Sequence, residues 1–450
     1  MARVYPFRAL RYNPALVRLE EVVTQPYDKI TPAMQQAYYQ RSPYNLVRII
    51  LGLPELFDAH QDPGSDSGIY QRAARDFRDW RESGVLSQES EPAIFAYAQR
   101  FAVPGADGEM QERRGLIALG ELSSYDQKVV FRHEQTLSKP RADRLNLLRA
   151  TRAHFGQIFM LYSDPGLSVE RLLFASTAAP DMEVTDEYEV THRVWKVTDP
   201  AVINLVTTAL EDKKLIIADG HHRYETALAY AQERAPHPPA PLAERSSYAQ
   251  PQPPYPEAAV MMTFVNMDSE GVVILPTHRV VHGLQDFSAA EFLERAEGFF
   301  VIQPLAMTDA AEMLAMLEAT GERTAFVCVL PAGSFLLTAK AGAAAEILAQ
   351  FSPRQRRLDV IHLHAVILDR LLGLTPEKIR EQSNVRYVRD AAEAVFLVQA
   401  EMQDADLAFL MKPVPLELLR EIAFAGEVMP QKSTDFYPKL LSGLTIYALD

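Results

Sequence analysis

A mixed α/β fold is what the sequence predicts, and three observations carry that reading. Apolar runs of strand length alternate along the whole chain with stretches in which apolar residues recur at helical spacing. In one such pair, Leu215-Ile-Ile-Ala218 reads as a buried strand, Asp219-Gly220 breaks it, and Ala227, Leu228, Tyr230 and Ala231 continue at helical spacing. The third observation is bulk: 450 residues, 48% hydrophobic and 23% charged, give room for two or three cores. The expected organisation is an N-terminal α+β region over 1–180, a core over 181–285 carrying the Asp219 turn, and a C-terminal α+β domain over 286–450.

Taken in order, Tyr5 to Pro14 is extended, and Gln25-Pro-Tyr-Asp28 lies in a loop. Thr31 followed by Pro32 predicts a helix start, because threonine caps the first amides and proline suits the first turn. Arg41 to Leu51 reads as a loop feeding a strand, and His60 to Gly68 as a surface loop. Ala73, Phe77 and Trp80 predict a helix over 70–83. Strands over 93–101 and 114–122 are joined by a hairpin turn at 104–109. A helix from Pro140 to Thr151 and a strand over 157–162 follow, then a strand within 187–197 and a helix over 200–210. Arg234 to Glu257, rich in Pro, Ala and Ser without a period, reads as a surface insertion. A buried strand over 259–267 is expected to turn and return along 272–275. Beyond Ser288, helices are expected at 289–296, 310–317, 358–371, 376–382, 390–394 and 415–425. Strands at 324–330 and 334–339 pair through a Pro331-Ala-Gly333 turn, and a further strand lies at 408–412. Cys328, the single cysteine, falls in an apolar run and reads as a strand core residue.

A formal net charge of -14 opposes nucleic-acid binding over a whole face, since phosphate neutralisation needs a basic surface. With one cysteine there is no disulfide framework and no thiolate metal site. No apolar run reaches membrane-span length and no basic-then-apolar leader opens the chain, so the expectation is a cytoplasmic protein without a membrane partner.

Chemistry concentrates in four stretches. Asp219, Gly220, His221, His222 and Arg223 stand where a strand meets a helix, and the unpaired amides of a helix mouth attract anions. His133, Glu134 and Arg144 lie between apolar elements, with a solvated helix face as the competing account of Arg144. His278 with Arg279 follows a strand. Lys432, Ser433 and Thr434, with Lys439 beyond, crowd the C-terminal stretch, where a plain surface loop is the rival account. Convergence of these groups would give phosphoryl transfer its positioned charge. Asp219 and Glu134 are then candidate metal ligands, Glu134 the candidate base with His133 beside it, and the remaining cations and hydroxyls candidate phosphate binders. No Walker loop, dinucleotide glycine fingerprint, zincin helix or nucleophile elbow is present.

The motifs Pro6-Phe-Arg8, Gln25-Pro-Tyr-Asp28, Pro43-Tyr-Asn45, His133-Glu-x-Thr136 with Asp143-Arg144, Ala218 to Tyr224, Pro276 to Arg279 and Met429 to Thr434 resemble, in this order, the family called domain of unknown function 1015. Gln25 stands where that family usually has proline. The turn Asp219-Gly-His-His-Arg223 is also similar, more distantly, to the nucleotide-phosphate turn of the ParB and sulfiredoxin superfamily, which includes free-serine kinases. That resemblance implies a ParB-like nucleotide-binding core with ATP or ADP and Mg²⁺, and phosphorylation of a small hydroxyl metabolite such as L-serine. The rival it leaves open is a regulatory module that binds nucleotide (CTP or ATP) and transfers nothing.

Overall fold

The computed structural model describes residues 1–53, 67–105, 108–134, 138–175, 178–235, 250–400 and 405–450. Most of the insertion expected over 234–257, most of the loop expected over 60–68 and part of the hairpin turn at 104–109 lie outside the described residues. The chain divides into two compact units. The first comprises 1–132, 136–272 and 438–450, and the second 133–135 and 273–437.

The first unit is built on a nine-stranded mixed sheet. Its strands run in the order Val130–Phe131, Leu215–Asp219, Ile158–Tyr162, Ala259–Asn266, Met110–Glu121, Ile94–Ala102, Thr191–Val197 and Met182–Thr185, with Val4–Tyr5 pairing to Met110–Glu121. Two pairings are parallel, Leu215–Asp219 with Val130–Phe131 and Ala259–Asn266 with Ile158–Tyr162; the others are antiparallel. Ala259–Asn266 is buried at every position, which is why it reads as a continuous apolar run rather than an alternation. Helices Pro200–Leu210 and His221–Arg234 pack Ile203, Val206, Leu210, Tyr224 and Ala227 into the same core as Ile158, Met160, Leu215 and Ile217.

The boundary expected near residue 180 therefore runs through one sheet: Ile94–Ala102 pairs with Thr191–Val197, and Ile158–Tyr162 with Leu215–Asp219. Apolar patterning marks strands, but not which distant strand each will meet. The second expected boundary, at 285, stands against a division at Val272. Gly271, just before that division, has φ +82, and a Cβ there would lie 2.5 Å from the Glu112 carbonyl oxygen and 2.8 Å from the Arg113 backbone. Neither can retreat cheaply, so Gly271→Ala is expected to lose roughly 2–4 kcal/mol in a urea titration, from the backbone conformation plus the overlap. A change under about 0.5 kcal/mol would show that the loop simply moves aside.

The second unit holds a six-stranded sheet in the order Phe300–Leu305, Gly333–Ala339, Ala325–Leu330, Leu407–Leu410, His278–Val281 and Val385–Val388. Every pairing is antiparallel, and the hairpin through Pro331-Ala-Gly333 is present. Cys328 is fully buried in its centre. Val273–Leu275 does not return along the preceding strand; it pairs instead with Asp435–Tyr437. The Arg41 to Leu51 stretch likewise forms a short helix, Val47–Ile50, where a strand was expected, since Asn45 Oδ1 accepts the Val47 amide and starts a turn. The helix expected over 358–371 is α-helical at Asp359–His362 and then π-helical over Leu363–Leu371. Among the described residues no helix is long and apolar enough to cross a membrane.

Candidate functional site

Strand Leu215–Asp219 buries its first four residues and releases Asp219 at its end. Gly220 then takes φ +92 as the cap of helix His221–Arg234, and as a glycine it offers the first amides no capping side chain of its own. A left-handed cap suits glycine, and the positive end of the helix dipole lies at this turn. Arg223 folds back over this turn. Its Nη2 donates to Asp219 Oδ2 at 2.8 Å, and its Nη1 donates to the Gln157 carbonyl oxygen. A Cβ on Gly220 would sit 3.0–3.1 Å from Nη2, Cζ and Nε alike, so the guanidinium lies flat against the glycine.

Lys439 completes the group, its Nζ 3.4 Å from Asp219 Oδ1 and its side chain 8% exposed. It arrives from the C-terminal segment, 220 residues away in sequence. Buried Gln99 and Arg113 pin that segment. Gln99 Nε2 donates to the Lys439 carbonyl oxygen at 2.8 Å, and Arg113, 1% exposed, donates to Gln99 Oε1 and to the Pro438 carbonyl oxygen. The Arg113 guanidinium also lies 4.6 Å over the Phe159 ring, and burial lowers its pKa to about 10. Burial works against ionising Asp219, but the charges of Lys439, then Arg223, Lys29 and His221, outweigh it and hold the carboxyl well below its ordinary range. One carboxylate therefore faces several cations at a helix mouth, a net positive arrangement suited to an anion with several oxygens.

Arg144 belongs to the same unit. It donates through Nη1 to the Ile50 carbonyl oxygen at 2.6 Å, pairs with Asp143, and lies 4.1 Å over the Tyr27 ring. Arg144, Arg223 and Tyr27 line one cavity of about 70 Å³ with Gly156 and Ser442. His221 is buried and His222 half-buried in the first turn of the helix. Sequence reasoning gave Tyr27 and Lys29 no role. The signal was the Gln25-Pro-Tyr-Asp28 stretch, whose Gln25 Nε2 donates to Asp186 Oδ2 at 3.0 Å and ties the loop into a buried network with His192 and Tyr97.

The other expected site residues fall in the second unit and meet one another there. Glu134 Oε1 accepts from the Ser433 amide at 3.1 Å and from the Thr434 amide and hydroxyl at 3.2 Å each. Since the Thr434 hydroxyl spends its proton on Glu134, His133 Nε2 donates to Thr434 Oγ1, 2.8 Å away. Lys432 takes φ +56, which turns the following two amides toward the carboxylate. The Ser433 hydroxyl donates to the Pro430 carbonyl oxygen at 2.6 Å. Arg279, 1% exposed, donates to the carbonyl oxygens of Thr277 and Lys432. His278 Nδ1 accepts the Met411 amide at 3.1 Å, and burial, then Arg279, lowers its pKa to about 4, leaving it neutral. The residues of the four stretches thus sort into two groups, with Asp219 to Arg223, Arg144 and Lys439 in the first unit and His133, Glu134, His278, Arg279 and Lys432 to Thr434 in the second. Among the described residues no group of three or more His, Cys, Asp and Glu side chains is placed to hold a metal ion. Asp219 with two close cations, and Glu134 with three donors on one oxygen, do not fit the protein ligand set of a resident Mg²⁺.

An α/β protein with a cation-lined strand end is the class that fold and site define. A family model described as protein of unknown function (DUF1015) matches residues 4–361. The chain belongs to that family. No curated protein matches it. Among solved structures, a conserved hypothetical protein from Pyrococcus furiosus is similar at 14% identity and TM-score 0.32, over 68% of this chain and 87% of that one. A free serine kinase in complex with AMP is similar at 14% identity and TM-score 0.31, over 68% and 83%. SbnI with a C-terminal truncation, from Staphylococcus aureus, is similar at 10% identity and TM-score 0.34, over 72% and 85%.

Proposed function

We propose that the protein is a nucleotide-dependent phosphotransferase that uses ATP or ADP on a small hydroxyl metabolite, with L-serine the first substrate to try. The observation that carries this reading is the Asp219 turn: a helix N-terminus where Arg223 and Lys439 reach one carboxylate and Lys29 and His221 add to the positive field on it. Such a group matches the charge of a di- or triphosphate, and its similarity to ParB-like phosphate turns supports the same ligand. Gly220, His221, His222 and Arg223 would hold the phosphates, with Arg144 at the cavity behind. In the transfer, the terminal phosphorus–oxygen bond of the nucleotide breaks while a new one forms to the substrate oxygen, and the hydroxyl proton passes to a general base or to water. Among the described residues no group of three or more His, Cys, Asp and Glu side chains is placed to hold a metal ion, so this reading assigns the charge of the phosphates to the cations of the turn. A nucleotide-binding regulatory module is the second reading, favoured by one observation: Glu134 is already engaged by Ser433 and Thr434.

Calorimetric titration with ADP and ATP tests binding, and ³¹P NMR of the mixture with L-serine tests transfer. Binding with formation of a phosphomonoester is the expected result. Binding without turnover of any small hydroxy acid selects the regulatory reading, and no binding of either nucleotide removes both.

A further inference from the structure

The cavity of about 70 Å³ beside the Asp219 turn lies wholly within the first unit, and its lining is lopsided in charge. Arg144 and Arg223 supply two guanidiniums, and among the described residues no carboxylate lines it. Its histidine, His154, stacks on the Tyr447 ring, and burial lowers its pKa to about 4, so it is neutral at pH 7. Leu147, Leu148, Phe155 and Val260 make the rest of the wall mainly apolar. Helix Ser138–Thr151 brings Arg144, Leu147 and Leu148 to the cavity together, because residues three and four apart share one helix face.

Both guanidiniums are held in place and still have donors to give. Arg144 spends Nε and Nη2 on Asp143 and Nη1 on the Ile50 carbonyl oxygen. Arg223 spends Nη1 on the Gln157 carbonyl oxygen and Nη2 on Asp219. A guanidinium carries five N–H groups, so each retains at least two beyond these bonds. Neither is sealed from the cavity it lines: the Arg144 side chain is 10% exposed and that of Arg223 15%. Gly156 keeps the space before Arg223 open. A Cβ there would stand 3.1 Å from Arg223 Nη1 and 3.6 Å from Ser442 Oγ.

We propose that this cavity binds a small hydroxy acid through its carboxylate, in preference to an amino acid, and so sets the acceptor class of the transfer above. The acceptor role rests on the phosphotransfer reading; the carboxylate rests on the lining alone. Two guanidiniums with spare N–H groups match a carboxylate, which arginine holds through paired N–H···O bonds. An α-ammonium in the same space would meet two like charges. The nearby carboxylates are already paired, Asp143 with Arg144 and Tyr70, Asp219 with Arg223 and Lys439. At roughly 10–15 Å³ of free space per water-sized group, the cavity takes about five of them, the bulk of a two- or three-carbon hydroxy acid. Arg223 is common to cavity and turn, since Nη1 looks onto Gly156 and Nη2 holds Asp219. A molecule bound against Nη1 therefore lies one guanidinium's width from the phosphates assigned to the turn. Transfer makes its hydroxyl a phosphate monoester as ATP becomes ADP, or ADP becomes AMP, and the hydroxyl proton leaves for a general base or water.

Saturation-transfer NMR on the full chain without nucleotide, titrating L-glycerate, L-serine and ethanolamine in turn, tests the proposal. The first two have the same shape and differ by a hydroxyl for an ammonium; ethanolamine keeps the ammonium and lacks the carboxylate. L-Glycerate should bind at least about tenfold more tightly than L-serine, and ethanolamine should give no signal. Arg144→Met should weaken L-glycerate about tenfold, the worth of one hydrogen bond to a charged group. Arg144 also holds the Ile50 carbonyl oxygen, so Gly156→Ala serves as a second variant. It keeps every charge, fills the space before Arg223 Nη1 and should weaken L-glycerate comparably, with circular dichroism following the fold of both variants. L-Serine bound as tightly as L-glycerate, no binding of L-glycerate to the unaltered protein, or binding that both variants leave unchanged overturns the proposal. ADP titrated separately tells the two failures apart. L-Glycerate binding without ADP binding removes the phosphotransfer reading and upholds the carboxylate site, and ADP binding without L-glycerate binding does the reverse.

Discussion

Replacing Lys439 by methionine is expected to lower the stability of the first unit by about 3 kcal/mol at neutral pH, near the bottom of the range for removing one partner of a buried ion pair. Methionine keeps the stem's bulk, so the loss is that of the ammonium. Asp219 keeps Arg223 at 2.8 Å, which is why the low end applies. The effect has a pH signature. Asp219 is held well below its ordinary range in the folded protein, so it adds stability above the unfolded pKa of about 4 and loses it as pH falls toward the folded value. Without Lys439 that contribution is smaller. The gap between the two proteins should therefore hold from pH 7 down to the folded pKa that Asp219 keeps without Lys439, and shrink only below it, toward about pH 2, because the unfolded state is common to both. Both tryptophans, Trp80 and Trp195, belong to the first unit, so urea titrations followed by tryptophan fluorescence report on this unit alone. A gap equal at both ends of the range would mean that Lys439 stabilises through packing and not through Asp219.

What was legible in the sequence was what is local. Thr31-Pro32 starts Pro32–Arg41 through a hydroxyl that accepts the Met34 amide, and Asp199-Pro200 starts Pro200–Leu210 in the same way. The hairpin at 325–339 is legible because its two apolar runs are separated by a proline and glycine turn. The turn at Asp219 is legible for the same reason: a strand, a glycine and a helix in immediate succession. What was not legible depends on distance along the chain. Lys439 reaches Asp219 across 220 residues, and Glu134 reaches the Ser433 amide across 299. No periodicity encodes either meeting. Singling out His133-Glu134 as loop residues was sound chemistry, but their neighbours could not be read from their own surroundings. The Val273–Leu275 strand shows the same limit, since its apolar pattern is satisfied equally by a hairpin return or by Asp435–Tyr437.

Arg223→Ala is expected to weaken ADP binding by roughly 10- to 100-fold, the worth of one or two hydrogen bonds to a charged group. The guanidinium is set for this task before any ligand arrives. Gln157 and Asp219 hold its two terminal nitrogens, and Gly220 lets it lie against the backbone. Arg223→Lys should recover little, because an ammonium cannot reproduce the planar fork. Gly220→Ala attacks the same geometry without removing a charge. An alanine at φ +92 costs about 1 kcal/mol or more, and its Cβ at 3.0–3.1 Å from three guanidinium atoms pushes Arg223 off the turn. If the turn is a phosphate site, Gly220→Ala should therefore approach Arg223→Ala in lost affinity while every cation remains. The two readings part there. A site that works only by accumulated charge would lose affinity with Arg223→Ala and keep it with Gly220→Ala. One that works by oriented donors loses it with both. Calorimetry with ADP at low and high salt decides between them, because the charge component alone is screened by salt while the buried, oriented component persists.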